Sequence, residues 1–436
     1  MRAAVRVCWP VELMANGNPN SAVFVQPPPR AYGGRVTIEP SASSGAGVPG
    51  SAPDLSQLQV EGMFQQRLAE AFAALGCFNL AIFGKTGVGK STLVNAIFGR
   101  DVAVTGLGKP VTRGLMYHRH QDGFFGVYDS EGFETGTSGD VIVDGLRRLV
   151  TERRTLAMDE QIHAVWYLVR WSDRRFEQAQ EQFVRELSAL GLPVIVVMTQ
   201  VPTRDGVAHP EALEFATYIE SLGLPISPQG RVVLTNALVD PFTASPVFGL
   251  QALLDDTYAV IPAVAEMALT AAQVVDMGRK KKVVATIINQ AVVVAAGVGA
   301  TPIPFADAAL LVPNQVTMIA RITAAYGLPP NRSKALAAAG AVILTGGATM
   351  AGRYAVTSLL KFVPGGVIAG SAISATVAGA LTRTVGYAWA RVCEYALGLT
   401  PEGREQFFNS SQVTDRFTGY LKEMQKAGRS RGGQGS

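Results

Sequence analysis

The chain has 436 residues, a formal net charge of +4, and a composition that is 48% hydrophobic and only 17% charged. That length suits two or three domains with substantial cores, and so small a positive charge argues against nucleic acid as a partner. The three cysteines, Cys8, Cys77 and Cys393, are too widely spaced for a metal knuckle or a disulfide framework, so a reducing, cytoplasmic setting is expected.

At the start, Pro10 and Glu12 interrupt any apolar run after Arg2 and Arg6, which is not the pattern of a signal peptide. Met14, opening "MANGNPNS", also reads as a start. Residues 1–53 are rich in Pro, Gly and Ser ("QPPPRAYGG") and are expected to be disordered. Residues 54–77 read as an amphipathic helix capped by Asp54, with Leu58, Met63, Leu68 and Phe72 among its apolar residues.

An apolar strand, Phe78 to Phe83, then runs into "GKTGVGKST". Gly84, Gly89, Lys90 and Ser91 satisfy G-x-x-x-x-G-K-[ST]. Glycines let the backbone curl so that N–H groups converge on an anion, and the helix from Lys90 adds its positive dipole end. Lys85, Thr86, Gly87, Val88 and Thr92 complete the cradle. Lys90 is expected on the β- and γ-phosphates and Ser91 on Mg²⁺.

"LMYHRH" and "FFGVYD" follow as strands separated by Gln121-Asp122-Gly123, a hairpin signal. The second strand ends in "DSEG", Asp129 to Gly132, a D-x-x-G. Its aspartate suits the magnesium shell through water, and the Gly132 amide suits a γ-phosphate. Thr112, in "GKPVTRG", stands where a threonine ligates Mg²⁺ while the γ-phosphate is present, as in the order–disorder switch of GTPases.

With these motifs the chain resembles the Era-like GTPases of the translation-factor-related class, over about Phe78 to Ile261. The resemblance implies an α/β domain over residues 78–261, a mixed, mostly parallel sheet with helices on both faces. It makes "HAVWYLVRW" and "PVIVVMTQ" inner strands, followed by "RVVLTNAL". It also implies a guanine-binding [NT]-[KQ]-x-D motif, matched by Thr199 and Gln200, although Pro202 occupies the aspartate place. Asp205 is the expected substitute, and Asn236-Ala237-Leu238 takes the place of the fifth motif. After D-x-x-G comes Phe133, which cannot orient a water as the glutamine of Ras-like proteins does. Slow hydrolysis is therefore expected, with Arg113, Arg174 and Arg175 as candidates for a supplementary charge. "GKTGVGKS" looks like the loops of the septin-like branch, which implies pairing of G domains through their nucleotide faces.

Other conspicuous residues have plainer readings. His118 and His120 alternate on a strand and are expected at exposed positions rather than in a metal pair. Trp166 and Trp171 read as packing residues, and Glu177 to Gln182 as a solvated helix face.

Residues 262–425 read as an all-helical, apolar domain, and 426–436 as a flexible tail. Arg279 to Lys282 are four consecutive basic residues, after which Val283 to Ala306, Ala335 to Gly352 and Phe362 to Thr382 carry no charge. Such runs approach the length of a membrane-spanning helix. Gly366 and Gly370 suit close helix packing, while Pro302, Pro304, Asn289 and Gln290 disfavour a simple span. Basic flanks, among them Lys334, Arg353, Lys361 and Arg383, favour membrane contact. "ATPIPFADAALLVPNQVTMIARITAAYG" resembles the helical domain of the YcjF family.

Together these features point to a magnesium-dependent protein that binds GTP or GDP and hydrolyses GTP slowly. Its nucleotide state would control a helical domain associated with membrane lipid. The alternative is a nucleotide-binding scaffold or pore-type effector with little hydrolysis.

Overall fold

The computed structural model describes residues 57–99, 109–112, 115–120, 123–130, 138–239, 244–299, 306–328 and 375–432. The expected disordered lead, the Asp54 cap, Arg113, Gly132, Phe133, Pro302 and Pro304 lie outside the described residues. So do the 335–352 run and most of the 362–382 run.

A seven-stranded sheet organises the first half of the described chain. Its strands are β1 (Phe78–Phe83), β2 (Lys109–Thr112), β3 (Leu115–Arg119), β4 (Phe125–Ser130), β5 (Ala164–Arg170), β6 (Val194–Thr199) and β9 (Val233–Leu234). The order is β2-β3-β4-β1-β5-β6-β9. β2–β3 and β3–β4 pair antiparallel, and the remaining neighbours pair parallel. The central strands β1, β5 and β6 are buried on both faces, as a sheet covered by helices on either side requires.

Alternation along those strands splits the interior in two. Ala81, Phe83, Val165, Tyr167, Val194 and Val196 face a core closed by α3 (Ser138–Arg153), α4 (Gln178–Ala189) and α5 (Pro210–Ser221). Leu80, Ile82, Trp166, Leu168, Ile195 and Val197 face the other core, covered by α2 (Lys90–Phe98), α6 (Leu250–Val260) and α7 (Ala263–Ala272). Trp166, fully buried, donates to Thr257 Oγ1 of α6 at 3.1 Å.

The second core does not stop at residue 261. It continues through α8 (Met277–Gly299), α9 (Ala306–Ala325), α10 (Ala375–Leu397), α11 (Pro401–Phe408) and α12 (Gln412–Gly432). α1 (Gln57–Ala73), N-terminal to the sheet in sequence, packs against α9, and its Phe64, Leu68 and Phe72 are buried. α12 runs on to Gly432, through residues expected to form a flexible tail.

The Val283–Ala306 run, as far as it is described, is a packed helix. Val284, Ile287, Ile288, Ala291 and Ala295 are buried, and α8 lies along α9 and α10. Among the described residues no helix is long and apolar enough to cross a membrane. The Arg279–Lys282 run is not one basic surface either. At about 100° per residue, four consecutive helical positions cannot face one way. Lys280 is fully buried, while Arg279 lies 3.7 Å over the Tyr258 ring and Lys281 pairs with Glu394.

Candidate nucleotide site

The phosphate loop leaves β1 at Phe83 and enters α2 at Lys90. Gly84, with φ 145°, lies so close to β5 that a Cβ would stand 2.5 Å from the Leu168 carbonyl oxygen. Gly89, at φ 94°, is the left-handed residue preceding α2. Only glycine occupies the first position without displacing backbone, and the second favours it strongly. Val88 is buried beneath the loop, whereas Thr86, Gly87, Ser91 and Thr92 face solvent. Lys85 forms an ion pair with Glu177 at 2.9 Å. Lys90 folds back over the loop and donates from Nζ to the carbonyls of Gly84 at 2.9 Å and Lys85 at 3.3 Å. Burial lowers the pKa of this ammonium, and the charge of Asp129 opposes that shift.

Asp129 stands near the end of β4, in register with Ile82 of β1 and Met116 of β3. Together with Lys90, Ser91 and His118 it lines a cavity of about 20 Å³. The hydroxyl of Ser91 and the carboxylate of Asp129 are hard oxygen donors of the kind Mg²⁺ takes, so the residues present fit that metal. Thr112 ends β2, its backbone paired with Leu115.

His118 was expected at an exposed strand position and is instead half-buried on the wall of this cavity. It pairs across the hairpin with Val127, two residues from Asp129 and on the same face. The sequence held a signal for this placement. An Asp-Gly turn fixes the hairpin register, and the register fixes which side chains share a face with the D-x-x-G aspartate.

A second cavity of about 300 Å³ opens beside Gly89 and is lined by Thr199 to Pro202, Asn236 to Val239 and Ser245, among others. That volume is at the lower end for small-molecule sites. Thr199, buried at the end of β6, donates to the carbonyl of Val88 at 2.6 Å and lies 3.3 Å from that of Val169. Gln200, at φ 58°, donates to the Gly87 carbonyl at 3.0 Å. The two matched residues of the fourth motif therefore brace the phosphate loop. Asn236 is held by the carbonyls of Ser245 and Pro246, and Ala237 joins it on the wall.

Asp205, expected at the base, lies elsewhere. With Gly206 it forms the two-residue tip of a hairpin between β7 (Thr203–Arg204) and β8 (Val207–Ala208), at φ 53° and 78°. It is exposed and is not on the cavity wall. The reason is local: Asp-Gly is a preferred turn for such a hairpin, and a side chain spent on the turn is not brought to the pocket.

Glu177 to Gln182 is not a plain solvated face. Glu177 and Gln180 form a capping box at the start of α4, and Gln180, buried, donates to the Tyr167 hydroxyl at 3.1 Å. The usual signature has Ser, Thr, Asp or Asn in the first place, so a glutamate there gave little sign of the box. Of the candidate arginines described, Arg174 is ion-paired with Glu211 and Arg175 is exposed. Among the described residues no group of three His, Cys, Asp or Glu could hold a metal.

Comparison with known proteins found two family matches. Residues 79–200 match the family described as "50S ribosome-binding GTPase", and residues 263–412 match "Domain of unknown function (DUF697)". Residues 79–200 thus carry a segment similar to that GTPase family, and residues 263–412 a segment similar to DUF697. It is 36% identical over 180 residues to GTPase Der of Mycolicibacterium vanbaalenii, covering 39% of this chain and 35% of that protein. It is 26% identical over 111 residues to GTP-binding protein A of Dictyostelium discoideum, covering 25% and 24%. The chain thus spans about a third or less of the length of these curated relatives. Among solved structures, Era in complex with MgGDPNP and nucleotides 1506–1542 of 16S ribosomal RNA is 21% identical, with a TM-score of 0.27 over 43% of this chain and 57% of that one.

Proposed function

We propose that this protein binds GTP and GDP with Mg²⁺, hydrolyses GTP slowly, and passes its nucleotide state to the DUF697 domain. The observation that carries the reading is the convergence of Lys90, Ser91 and Asp129 on one small cavity beside a phosphate loop braced by Thr199 and Gln200. Loop amides and Lys90 would hold the phosphates, and Ser91, Asp129 and Thr112 would hold the metal. Bound there, Mg²⁺ would neutralise charge developing on the β- and γ-phosphates. Gly132 is assigned to sensing the γ-phosphate. With Phe133 after D-x-x-G, turnover on the order of 10⁻⁴ s⁻¹ is expected, as for Ras without its activator.

Passage of the signal is supported by continuity. α2 begins at Lys90, and near its far end the carbonyl of Ile97 accepts from Val274, between α7 and α8, at 2.8 Å. The test is titration of purified protein with labelled GTP, GDP and ATP, with and without Mg²⁺, followed by single-turnover hydrolysis. Absence of Mg²⁺-dependent GTP binding would sink the proposal, and tight binding without turnover would favour the scaffold alternative.

A second reading, peripheral attachment of the helical domain to anionic lipid, is favoured by Val293 and Val294 of α8, 72% and 52% exposed. Flotation of the full chain with phosphatidylserine liposomes tests it: release by salt would mean peripheral docking, salt-resistant flotation would mean insertion of apolar helix faces, and no flotation would sink the reading. The net charge of +4 is too small to imply RNA as a partner, and retention of RNA through purification would overturn that choice. Pairing through the nucleotide faces would appear as a nucleotide-dependent dimer in sedimentation.

A further inference from the structure

We propose that His118 is a positioning residue in the outer shell of the bound metal, holding one water between its imidazole and the groups that face the ion. The assignment rests on the Mg²⁺-nucleotide reading above and deepens it.

Three observations carry it. First, register: β3 pairs antiparallel with β4 so that Met116 opposes Asp129 and His118 opposes Val127. His118 therefore stands on the same sheet face as Asp129, the face covered by α2. Second, the cavity: His118 closes a space whose other polar walls are Lys90, Ser91 and Asp129, over an apolar floor of Ile82, Val94 and Val127. Third, size: its volume of about 20 Å³ admits one water and little more, since a cavity must reach about 10–15 Å³ to hold one.

A water in that space meets a carboxylate, a hydroxyl, an ammonium and an imidazole, which is the polar complement a buried water needs. The ring nitrogen facing such a water either accepts from it or donates to it, according to the tautomer. Metals bind through a first shell whose orientation depends on the hydrogen bonds outside it. Loss of an outer partner typically costs about 10- to 100-fold in metal affinity. A carboxylate that holds the ion through water, as Asp129 is placed to do, depends on that water staying in position.

The experiment follows release of labelled GDP from the full chain across a Mg²⁺ titration, and separately in excess chelator, at one fixed pH. In His118→Ala and His118→Leu the Mg²⁺ concentration giving half-maximal retention is expected to rise about tenfold. His118→Gln, which keeps a donor and an acceptor, is expected to stay within about threefold of the parent. Release in chelator and the thermal midpoint of the nucleotide-free protein should not change, whereas a merely structural role would move both. An unshifted Mg²⁺ midpoint in both Ala and Leu variants would overturn the proposal, as would equal shifts in all three. If the unmodified protein released GDP with no regard to Mg²⁺, the underlying site reading would fail, and this proposal with it.

Discussion

Thr199→Val tests whether the fourth motif works by bracing the phosphate loop. Thr199 is buried, and its hydroxyl donates to the carbonyl of Val88 at 2.6 Å, inside the loop itself. Valine keeps the shape and removes the donor, so the carbonyl loses a partner without a cavity being opened. Leaving a buried acceptor unsatisfied costs about 1–3 kcal/mol. Where that cost appears depends on the loop. If the nucleotide-free loop relaxes and turns the carbonyl to water, the nucleotide must restore the closed loop, and the cost reads as about 5- to 150-fold weaker binding. A rigid loop would show it as lower stability instead. Because the bond supports a part of the loop common to both nucleotides, GTP and GDP affinities should fall by the same factor. The assay is parallel titration of labelled GTP and GDP with a thermal melt of the nucleotide-free protein. Unchanged affinity with unchanged melting would refute the brace, and so would a loss confined to GTP.

Asp205→Ala should leave the GTP-to-ATP preference unaltered, since Asp205 sits on an exposed hairpin tip off the cavity wall; competition titration with ATP reads this, and a collapse of the preference would restore the aspartate to the base. His163 accepts from the Asn79 N–H at Nδ1 and approaches the Met158 carbonyl through Nε2 at 2.8 Å, an arrangement that needs the neutral ring. Burial holds its pKa below the ordinary value of 6.5. Its contribution to stability is therefore present above about pH 6.5 and lost as pH falls through the lower folded-state value, so the melting temperature should drop between pH 7.5 and 5.5 and drop less in His163→Gln. Lys280→Met removes the donor that meets the carbonyls of Thr270 at 2.6 Å and Ala271 at 2.9 Å, with those of Ala325 and Tyr326 at 3.4 Å. Losing the two close bonds should cost about 2–6 kcal/mol, offset in part by relief of ammonium burial; an unchanged urea midpoint would show that the ends of α7 and α9 find other partners.

Some of this protein was determined within single stretches of sequence. The phosphate loop is one, because six residues from Gly84 to Gly89 followed by Lys90-Ser91 encode their own backbone curvature and need no distant contact to be read. The strand at Phe78 to Phe83, the hairpin that returns to Asp129 and the inner strands at Ala164 and Val194 were legible for the same reason, since apolar runs and turn residues act locally. The turn at Asp205 was equally legible, since Asp-Gly encodes a hairpin tip locally, whereas its distance from the cavity wall was set by the strands on either side. Other features depend on what packs against what. Nothing in Gln57–Ala73 names α9 as its partner, because an amphipathic stripe records that a face is buried and not which surface covers it. The apolar run after Lys282 looked like a membrane segment because hydropathy is blind to the solvent replaced, whether lipid or the neighbouring helices α9 and α10. Lys280 sat in a run of four basic residues, and only the turn of α8 against the carbonyl ends of α7 and α9 selected it for burial. His118 reached the cavity beside the phosphate loop through pairing across a sheet, where side chains far apart in sequence are brought onto one face by register.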